Sequence, residues 1–205
     1  RPIWWCWKHE PEAKTDPATF KATWARLGAA HAANSPANVK SSIILQGTSF
    51  IPSRLSWVGG HPWSAWFPTD PTALANLDTV GADVYHFGHN DALADTAEFV
   101  LRPVIDAGKS LNKRVILGEY GMVRTASAGW PNSPYWSNAV RVQRLNEAIG
   151  IFDEPTNHIR AVCHFESDNG AASNGAPHNL LGPPPGVGGG YPSQPADIWR
   201  AASMR

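Results

Sequence analysis

The chain has 205 residues, of which 42% are apolar, and its formal net charge is zero. This length and composition suffice for the buried core of one domain, so we expect a single domain over residues 1–205. No basic run offers a surface for phosphates, and no apolar run reaches the roughly 18 residues of a membrane-spanning helix. The sequence therefore predicts neither a nucleic acid nor a membrane as a partner.

Five short apolar runs predict β-strands, and in chain order they cover 3–9, 41–46, 82–87, 114–118 and 159–165. Segments with helical periodicity lie between these runs. The first helical stripe consists of Phe20, Trp24, Leu27 and His31. The last consists of Val142, Leu145, Ile149 and Phe152. A third helical segment covers 91–108, and Pro103 should kink it or split it in two.

Three dipeptides mark helix starts, because each places a capping oxygen just before a proline that suits the first helical position. They are Asp16-Pro17, Asp70-Pro71 and Ser133-Pro134. Strands that alternate with capped helices predict βαβ units and a parallel sheet. In such sheets, functional residues gather in the loops after the carboxyl ends of the strands.

The predicted fold class is α/β, of the (β/α)8 TIM-barrel type. A complete barrel has eight strands and typically about 250 residues, and an open sheet of five strands would leave two unpaired edges. We therefore expect that the N-terminal half of the barrel is missing, or that another chain supplies it as a partner. A Pro/Gly-rich loop is predicted within the domain at 182–196, next to a short helix at 195–204.

The two cysteines, Cys6 and Cys163, each lie within a predicted strand. A free cysteine in such a position is usually a small buried hydrophobe, and we expect this for both. A disulfide between them is the alternative.

Ten tryptophans are more than a core of this size normally uses. Five of them fall in loop-like segments rich in Pro, Gly and Ser, and these are Trp57, Trp63, Trp66, Trp130 and Trp136. Flat aromatic faces on loops suit the weakly polar faces of sugar rings, so the group indicates carbohydrate binding. Tryptophans that only pin long loops to the rest of the protein are the alternative for any single one.

Two glutamates come directly after predicted strands, Glu10 after the first and Glu119 after the fourth. Both should therefore lie on the face where barrel enzymes keep their catalytic residues. Cleavage of a glycosidic bond needs two carboxyl groups that flank the anomeric carbon. A glutamate at a strand end is also often a solvated surface residue, so the pair alone leaves the function open.

The sequence around these glutamates resembles a known group of enzymes. The segment RPIWWCWKHEPE at 1–12 resembles the acid/base strand of the clan A glycoside hydrolases, and it is closest to family 26, the β-mannanases and related endoglycanases. The segment VILGEYG at 115–121 is similar to the nucleophile strand of that family. The segment GADVY at 81–85 resembles its sixth strand and AVCHF at 161–165 its eighth.

The resemblance implies a TIM barrel from its fourth strand onward and retaining hydrolysis of β-linked polysaccharide or oligosaccharide. Glu10 would be the acid/base and Glu119 the nucleophile. The chain departs from the mannanases after Glu10, where Pro11-Glu12-Ala13-Lys14 replaces an aromatic sequence, and in the last strand, where His164 or Phe165 replaces a tryptophan. These departures bear on specificity for mannan.

Further candidates for substrate binding surround the two glutamates. Tyr85 should donate a hydrogen bond to Glu119, as the resemblance implies. Asp83 shares its strand face, as a third polar group in the barrel or as the partner of an arginine or lysine. His9 could orient Glu10 or contact a sugar hydroxyl. The remaining candidates are His86, His164, Phe165 and Glu166, together with Asp168.

Two alternatives remain beside a glycosidase. The first is a non-catalytic carbohydrate-binding relative of the barrel. The second is a metal-dependent hydrolase that uses His86, His89 and Asp91, but these histidines lack a clear third ligand, so we expect no metal. The sequence contains no Gly-x-Ser-x-Gly and no Gly-x-Gly-x-x-Gly opening a helix, so we also expect no serine nucleophile and no dinucleotide cofactor. A polymeric substrate favours an extracellular location.

Overall fold

The computed structural model describes residues 2–87, 92, 94–122 and 137–164. Within these residues the chain forms one five-stranded sheet, with the strands side by side in chain order. The strands are β1 (Ile3–Cys6), β2 (Val39–Gln46), β3 (Thr79–His86), β4 (Arg114–Met122) and β5 (Ile159–His164).

A helical segment joins each strand to the next. The α-helices are α1 (Pro17–Asn34), α2 (Pro71–Ala75), α3 (Ala97–Ser110) and α4 (Asn138–Asp153). Short 3-10 helices complete the connections at Pro11–Ala13, Gly47–Phe50, Pro52–Val58, Trp63–Ala65 and Pro155–Asn157.

The pairing of β1 with β2 and of β2 with β3 is parallel, with Ile3 opposite Val39 and Ser42 opposite Thr79. Sequential strands joined by helical crossovers are the pattern of an α/β barrel-type sheet. The predicted α/β class and the parallel sheet are therefore confirmed. The expectation of a missing N-terminal barrel half stays a prediction.

The described residues divide into two compact units, and the division falls inside β3, α3, β4 and β5. The first unit contains the chain up to Val84, together with Arg102–Gly118 and Thr156–Val162. The second contains the described residues of Tyr85–Leu101 and Glu119–Pro155, together with Cys163 and His164.

The core of the first unit contains buried side chains of β2, β3 and α1. Ile43 and Leu45 of β2 are fully buried. Phe20 and Trp24 of α1 are buried as the helical stripe predicts, but Leu27 and His31 are only half-buried. Gly28 takes the third buried position, because a Cβ there would lie 3.0 Å from the Trp24 ring.

In the second unit, α4 and the first half of α3 supply the core. Leu145 is fully buried as expected, whereas Val142, Ile149 and Phe152 are half-buried. The residues of α4 next to this stripe include the buried Arg144, whose Nη1 lies 2.6 Å from the Glu147 carboxylate. This ion pair allows a charged side chain to lie among apolar residues.

The helix starts follow the capping prediction at two of three positions. Asp16 accepts a hydrogen bond from the Thr19 amide at 2.9 Å, and Asp70 accepts one from the Ala73 amide at 2.8 Å. α4 begins at Asn138 with Ser137 as its cap, and Ser133-Pro134 lies outside the described residues.

Helix α3 differs from its prediction. It begins at Ala97 rather than near 91, and it continues through Pro103 to Ser110 without splitting. Val104 and Ile105 follow the proline and are both buried. Burial of these side chains outweighs the hydrogen bond that the proline cannot donate.

Both cysteines are free. Cys6 is half-buried, and burial raises the pKa of its thiol to about 11. Cys163 is exposed, so its predicted burial is wrong. Apolar periodicity identifies a strand but does not say which of its faces is covered.

None of the described helices combines the length and the apolar character that crossing a membrane requires.

Two glycine substitutions should have opposite effects on stability. A Cβ on Gly81, in β3, would lie 2.5 Å from Cγ1 of Ile44 and 3.0 Å from the Ile43 carbonyl. Gly81→Ala should therefore lower the free energy of unfolding by about 1–3 kcal/mol. Gly150 is exposed in α4 with nothing within 4 Å of an added Cβ, so Gly150→Ala should raise it by about 0.5–1 kcal/mol. Urea unfolding measures both, and effects of the same sign would contradict the packing described.

Candidate active site

The turn after β1 holds Glu10 in an unusual backbone conformation. Lys8 has φ 54° and Glu10 has φ 48°, both in the left-handed region that non-glycine residues rarely adopt. The Glu10 amide donates to the Ile44 carbonyl of β2 at 3.2 Å. The Lys14 ammonium donates to the His9 carbonyl at 2.8 Å. Surrounding contacts must hold such a turn, and strained turns of this kind occur mainly at functional sites.

Glu12, two residues further on, fixes this turn to the end of β2. Its Oε1 accepts hydrogen bonds from the Gln46 amide at 2.8 Å and from the Ser49 hydroxyl at 2.6 Å. Burial raises the pKa of the Glu12 carboxyl, and the hydrogen bond from Ser49 partly offsets this. These contacts of Glu12 could not be predicted from the sequence, because both donors lie more than thirty residues away in the chain.

Asp83 is a buried carboxylate in the middle of β3, with 2% of its surface exposed. Nε2 of the His9 imidazole pairs with its carboxylate. On β4, a Cβ at Gly118 would lie 2.7 Å from Asp83 Oδ1, so only glycine leaves room for the carboxylate. An arginine or lysine was expected as a possible partner of Asp83, and the partner that the structure shows is His9.

Tyr85 and Glu119 lie together in the second unit. The Tyr85 hydroxyl donates a hydrogen bond to Oε2 of Glu119, which confirms the predicted contact. Both side chains are half-buried. A fixed donor on one carboxylate oxygen restricts the rotation of the carboxylate.

His86 is a core residue rather than a substrate contact. Its side chain is fully buried, with Nδ1 3.0 Å from the Asp95 carbonyl and Nε2 2.8 Å from the Tyr120 hydroxyl. Burial lowers the pKa of His86 to about 4, and burial also raises the pKa of Tyr120. The predicted sugar contact of His86 is therefore wrong, and so is its use as a metal ligand.

The loop tryptophans differ from one another. Trp66 is fully buried and its ring meets Phe20 edge-on at 5.8 Å, so its predicted contact with a sugar is wrong. Trp63 is half-buried and stacks on Phe50 at 6.1 Å. Trp57 is 54% exposed, with the Arg54 guanidinium 5.0 Å from its ring centre. Sugar binding by Trp57 and Trp63 stays a prediction.

Several predicted site residues lie outside the described part of the chain. These are Trp130, Trp136, Phe165, Glu166 and Asp168, together with His89, Asp91 and the loop at 182–196. His164 ends β5, but its side chain is also outside the described part.

The structure is similar to solved glycoside hydrolases. An endo-β-1,4-mannanase of family 26 from Cellulomonas fimi matches with a TM-score of 0.52 and 14% identity, over 100% of this chain and 41% of that one. The family 26 endo-β-1,4-mannanase of Bacillus sp. JAMB-750 gives 0.51 and 15%, over 97% and 49%. An endo-β-1,4-glucanase from Xanthomonas axonopodis pv. citri gives 0.54 and 17%, over 93% and 56%.

The chain thus spans about half the length of the structures it matches. No protein-family model matches the sequence, and the search of curated proteins found no match. At these identities the likeness shows the fold, which is the α/β fold of family 26 mannanases and related endoglucanases.

The buried His86 should make stability depend on pH. Its pKa is lowered from 6.5 to about 4, so the unfolded chain binds a proton more readily between these values. The stability that neutral His86 provides is complete above pH 6.5 and is lost as the pH falls towards 4, by roughly 3 kcal/mol. Urea unfolding of the wild type and of His86→Gln at pH 7, 5.5 and 4 measures this. The variant should be less stable at pH 7 with a flatter profile, and parallel profiles would contradict the assignment.

Trp66 and Trp57 provide a matched pair. Trp66→Ala removes a fully buried side chain and should cost about 3–5 kcal/mol of stability. Trp57→Ala removes a largely exposed one and should change stability by no more than about 0.5 kcal/mol. Thermal or urea unfolding distinguishes them. Equal losses would mean that the loop does not pack as described.

Proposed function

We propose that the chain contains the catalytic residues of a retaining glycoside hydrolase that cleaves internal bonds of a β-1,4-linked polysaccharide. Glu119 acts as the nucleophile and Glu10 as the acid/base. The observation that supports this most is the hydrogen bond from Tyr85 to Glu119, because it orients one carboxylate oxygen and leaves the other for attack.

In the first step, Glu119 attacks the anomeric carbon and forms a glycosyl–enzyme ester while the bond to the leaving sugar breaks. Glu10 gives its proton to the departing oxygen. In the second step, Glu10 takes a proton from water, whose oxygen attacks the same carbon and releases Glu119. The configuration at the anomeric carbon is retained, because it is inverted twice.

The position of each glutamate supports its proposed role. Glu10 follows β1 and Glu119 lies near the end of β4, so both belong to carboxyl ends of strands in this barrel-type fold. His9, paired with the buried Asp83, ties the residue before Glu10 to β3. The acid/base is therefore held by its neighbours rather than presented on a free loop.

The comparisons support the substrate class. Two of the similar structures are endo-β-1,4-mannanases and one is an endo-β-1,4-glucanase. A β-1,4-linked backbone is common to their substrates, and we take mannan as the first candidate. The exposed ring of Trp57 offers a surface of the kind that stacks on a sugar. A polymeric substrate also favours action outside the cell.

Substitution of the two glutamates tests the function. On β-1,4-mannan, with β-1,4-glucan for comparison, Glu10→Gln should reduce kcat/KM by about 10²-fold or more, because the proton donor is lost. Glu119→Gln should abolish turnover, since no nucleophile remains. The control is Glu98→Gln, which changes an exposed glutamate of α3.

The measurements are reducing-sugar release and the anomeric configuration of the first product by NMR. Full activity of Glu119→Gln would refute the assignment. A wild-type protein that binds mannan without hydrolysing it would instead support a non-catalytic carbohydrate-binding protein.

A further inference from the structure

We propose that Glu12 is a positioning residue for Glu10, because its carboxyl group fixes the turn that contains Glu10 to the carboxyl end of β2. This inference rests on the proposed function, since it concerns how the acid/base is presented to the substrate.

The turn needs a fixed point outside itself. Lys8 and Glu10 are both left-handed, and each such non-glycine residue costs about 1–3 kcal/mol unless its surroundings impose it. Hydrogen bonds within the turn, such as that from Lys14 to the His9 carbonyl, connect its residues to one another. They do not determine where the turn lies relative to the sheet.

Beside the contact of His9 with Asp83 of β3, three hydrogen bonds supply such fixed points, and all three reach β2 or the 3-10 helix that follows it. The Glu10 amide donates to Ile44, and Glu12 accepts from Gln46 and Ser49. Only Pro11 separates the two glutamates, and it is buried with a φ fixed by its ring. A shift of the Glu12 side chain from its donors would therefore be passed on to the Glu10 backbone.

The burial of Glu12 favours a functional role over a purely stabilising one. Its Oε2 is buried and has no hydrogen-bond partner among the described residues. An unsatisfied buried carboxyl oxygen costs about 1–3 kcal/mol or more, so a residue that served stability alone would be better as an amide or an apolar group. A costly buried carboxyl group beside a candidate catalytic one is typical of active sites.

The charge of Glu12 acts in the same direction. The nearby Glu10 adds to the effect of burial in raising the pKa of Glu12. By reciprocity, an ionised Glu12 favours the protonated form of Glu10, which is the form that a proton donor needs.

Among the described residues of the first unit, the titratable groups in this region include Lys8, His9 and Lys14 on the turn itself and Asp83 of β3, which is paired with His9. The groups that β2 and its 3-10 helix present to Glu12 are the uncharged Gln46 and Ser49.

Two substrates separate positioning of the acid from general damage to the fold. Hydrolysis of β-1,4-mannan needs a proton on a poor leaving group, whereas dinitrophenolate leaves from 2,4-dinitrophenyl β-mannobioside without one. Glu12→Ala should lower kcat/KM on mannan by about 10–100-fold. Its kcat/KM on the dinitrophenyl glycoside should change less than about threefold, because formation of the glycosyl–enzyme there does not use Glu10.

Two further variants refine the test. Glu12→Gln keeps the accepting Oε1 and should recover most of the activity on mannan. Without the charge, the alkaline limb of its pH profile should move to lower pH. Ser49→Ala removes one donor and leaves Glu12 in place. It should lower kcat/KM on mannan more than on the dinitrophenyl glycoside, by a smaller factor than Glu12→Ala does. This variant allows the test to be made even if Glu12→Ala does not fold.

The control is Glu98→Ala, in an exposed part of α3. Equal losses on both substrates for Glu12→Ala and Ser49→Ala would mean a merely structural role, and unchanged kinetics would mean no role; either result overturns the inference. If the wild type hydrolyses neither substrate, or if Glu119→Gln stays active, the proposed function fails and this inference with it. If the wild type is fully active and its activity depends on Glu119, but Glu12→Ala does not show the expected difference between the two substrates, this inference alone is overturned.

Discussion

A carboxylate buried inside a parallel sheet constrains the sequence on both sides of it. Asp83 has almost no contact with solvent, so it needs a compensating partner and space that no neighbouring side chain fills. His9 provides the partner and Gly118 provides the space. These two residues directly precede Glu10 and Glu119. The His-Glu and Gly-Glu pairs that stand out in the sequence can thus be explained by one buried group, and the residue before each candidate catalytic glutamate has a packing reason to be there.

Much of the fold could be predicted because it depends on local patterns. All five strands overlap the apolar runs that predict them, although β1 ends earlier, at Cys6, and β4 continues through Glu119 to Met122. Asp16 and Asp70 cap helices as expected. Helix α3 shows the limit of local patterns. Propensity alone would end this helix near Pro103, but burial of the residues that follow the proline keeps it intact. Tertiary packing decides such cases, and a single sequence does not reveal it.

The candidate site was predicted well where strand geometry governs it and poorly where distant contacts do. Tyr85 meets Glu119 as expected, but His86, its neighbour in β3, lies in the core. Alternation along a strand sends adjacent side chains to opposite faces, so the two could not both have faced a substrate. Glu12 was missed for the opposite reason. Its role depends on Gln46 and Ser49, which only the parallel pairing of β1 with β2 brings near.

The surroundings of the tryptophans change how strongly they support carbohydrate binding. Trp24 and Trp66 are fully buried, Trp5 donates to His31, and Trp7 stacks on Phe20. Packing therefore accounts for most of the described tryptophans, because large aromatic rings fill the space between a parallel sheet and its helices. A high tryptophan content is then weak support for carbohydrate binding in this fold. The carboxyl groups support the proposed function better: a tyrosine orients Glu119, Glu10 lies on a strained turn, and the half-buried Glu12 and the buried Asp83 connect that turn to β2 and β3.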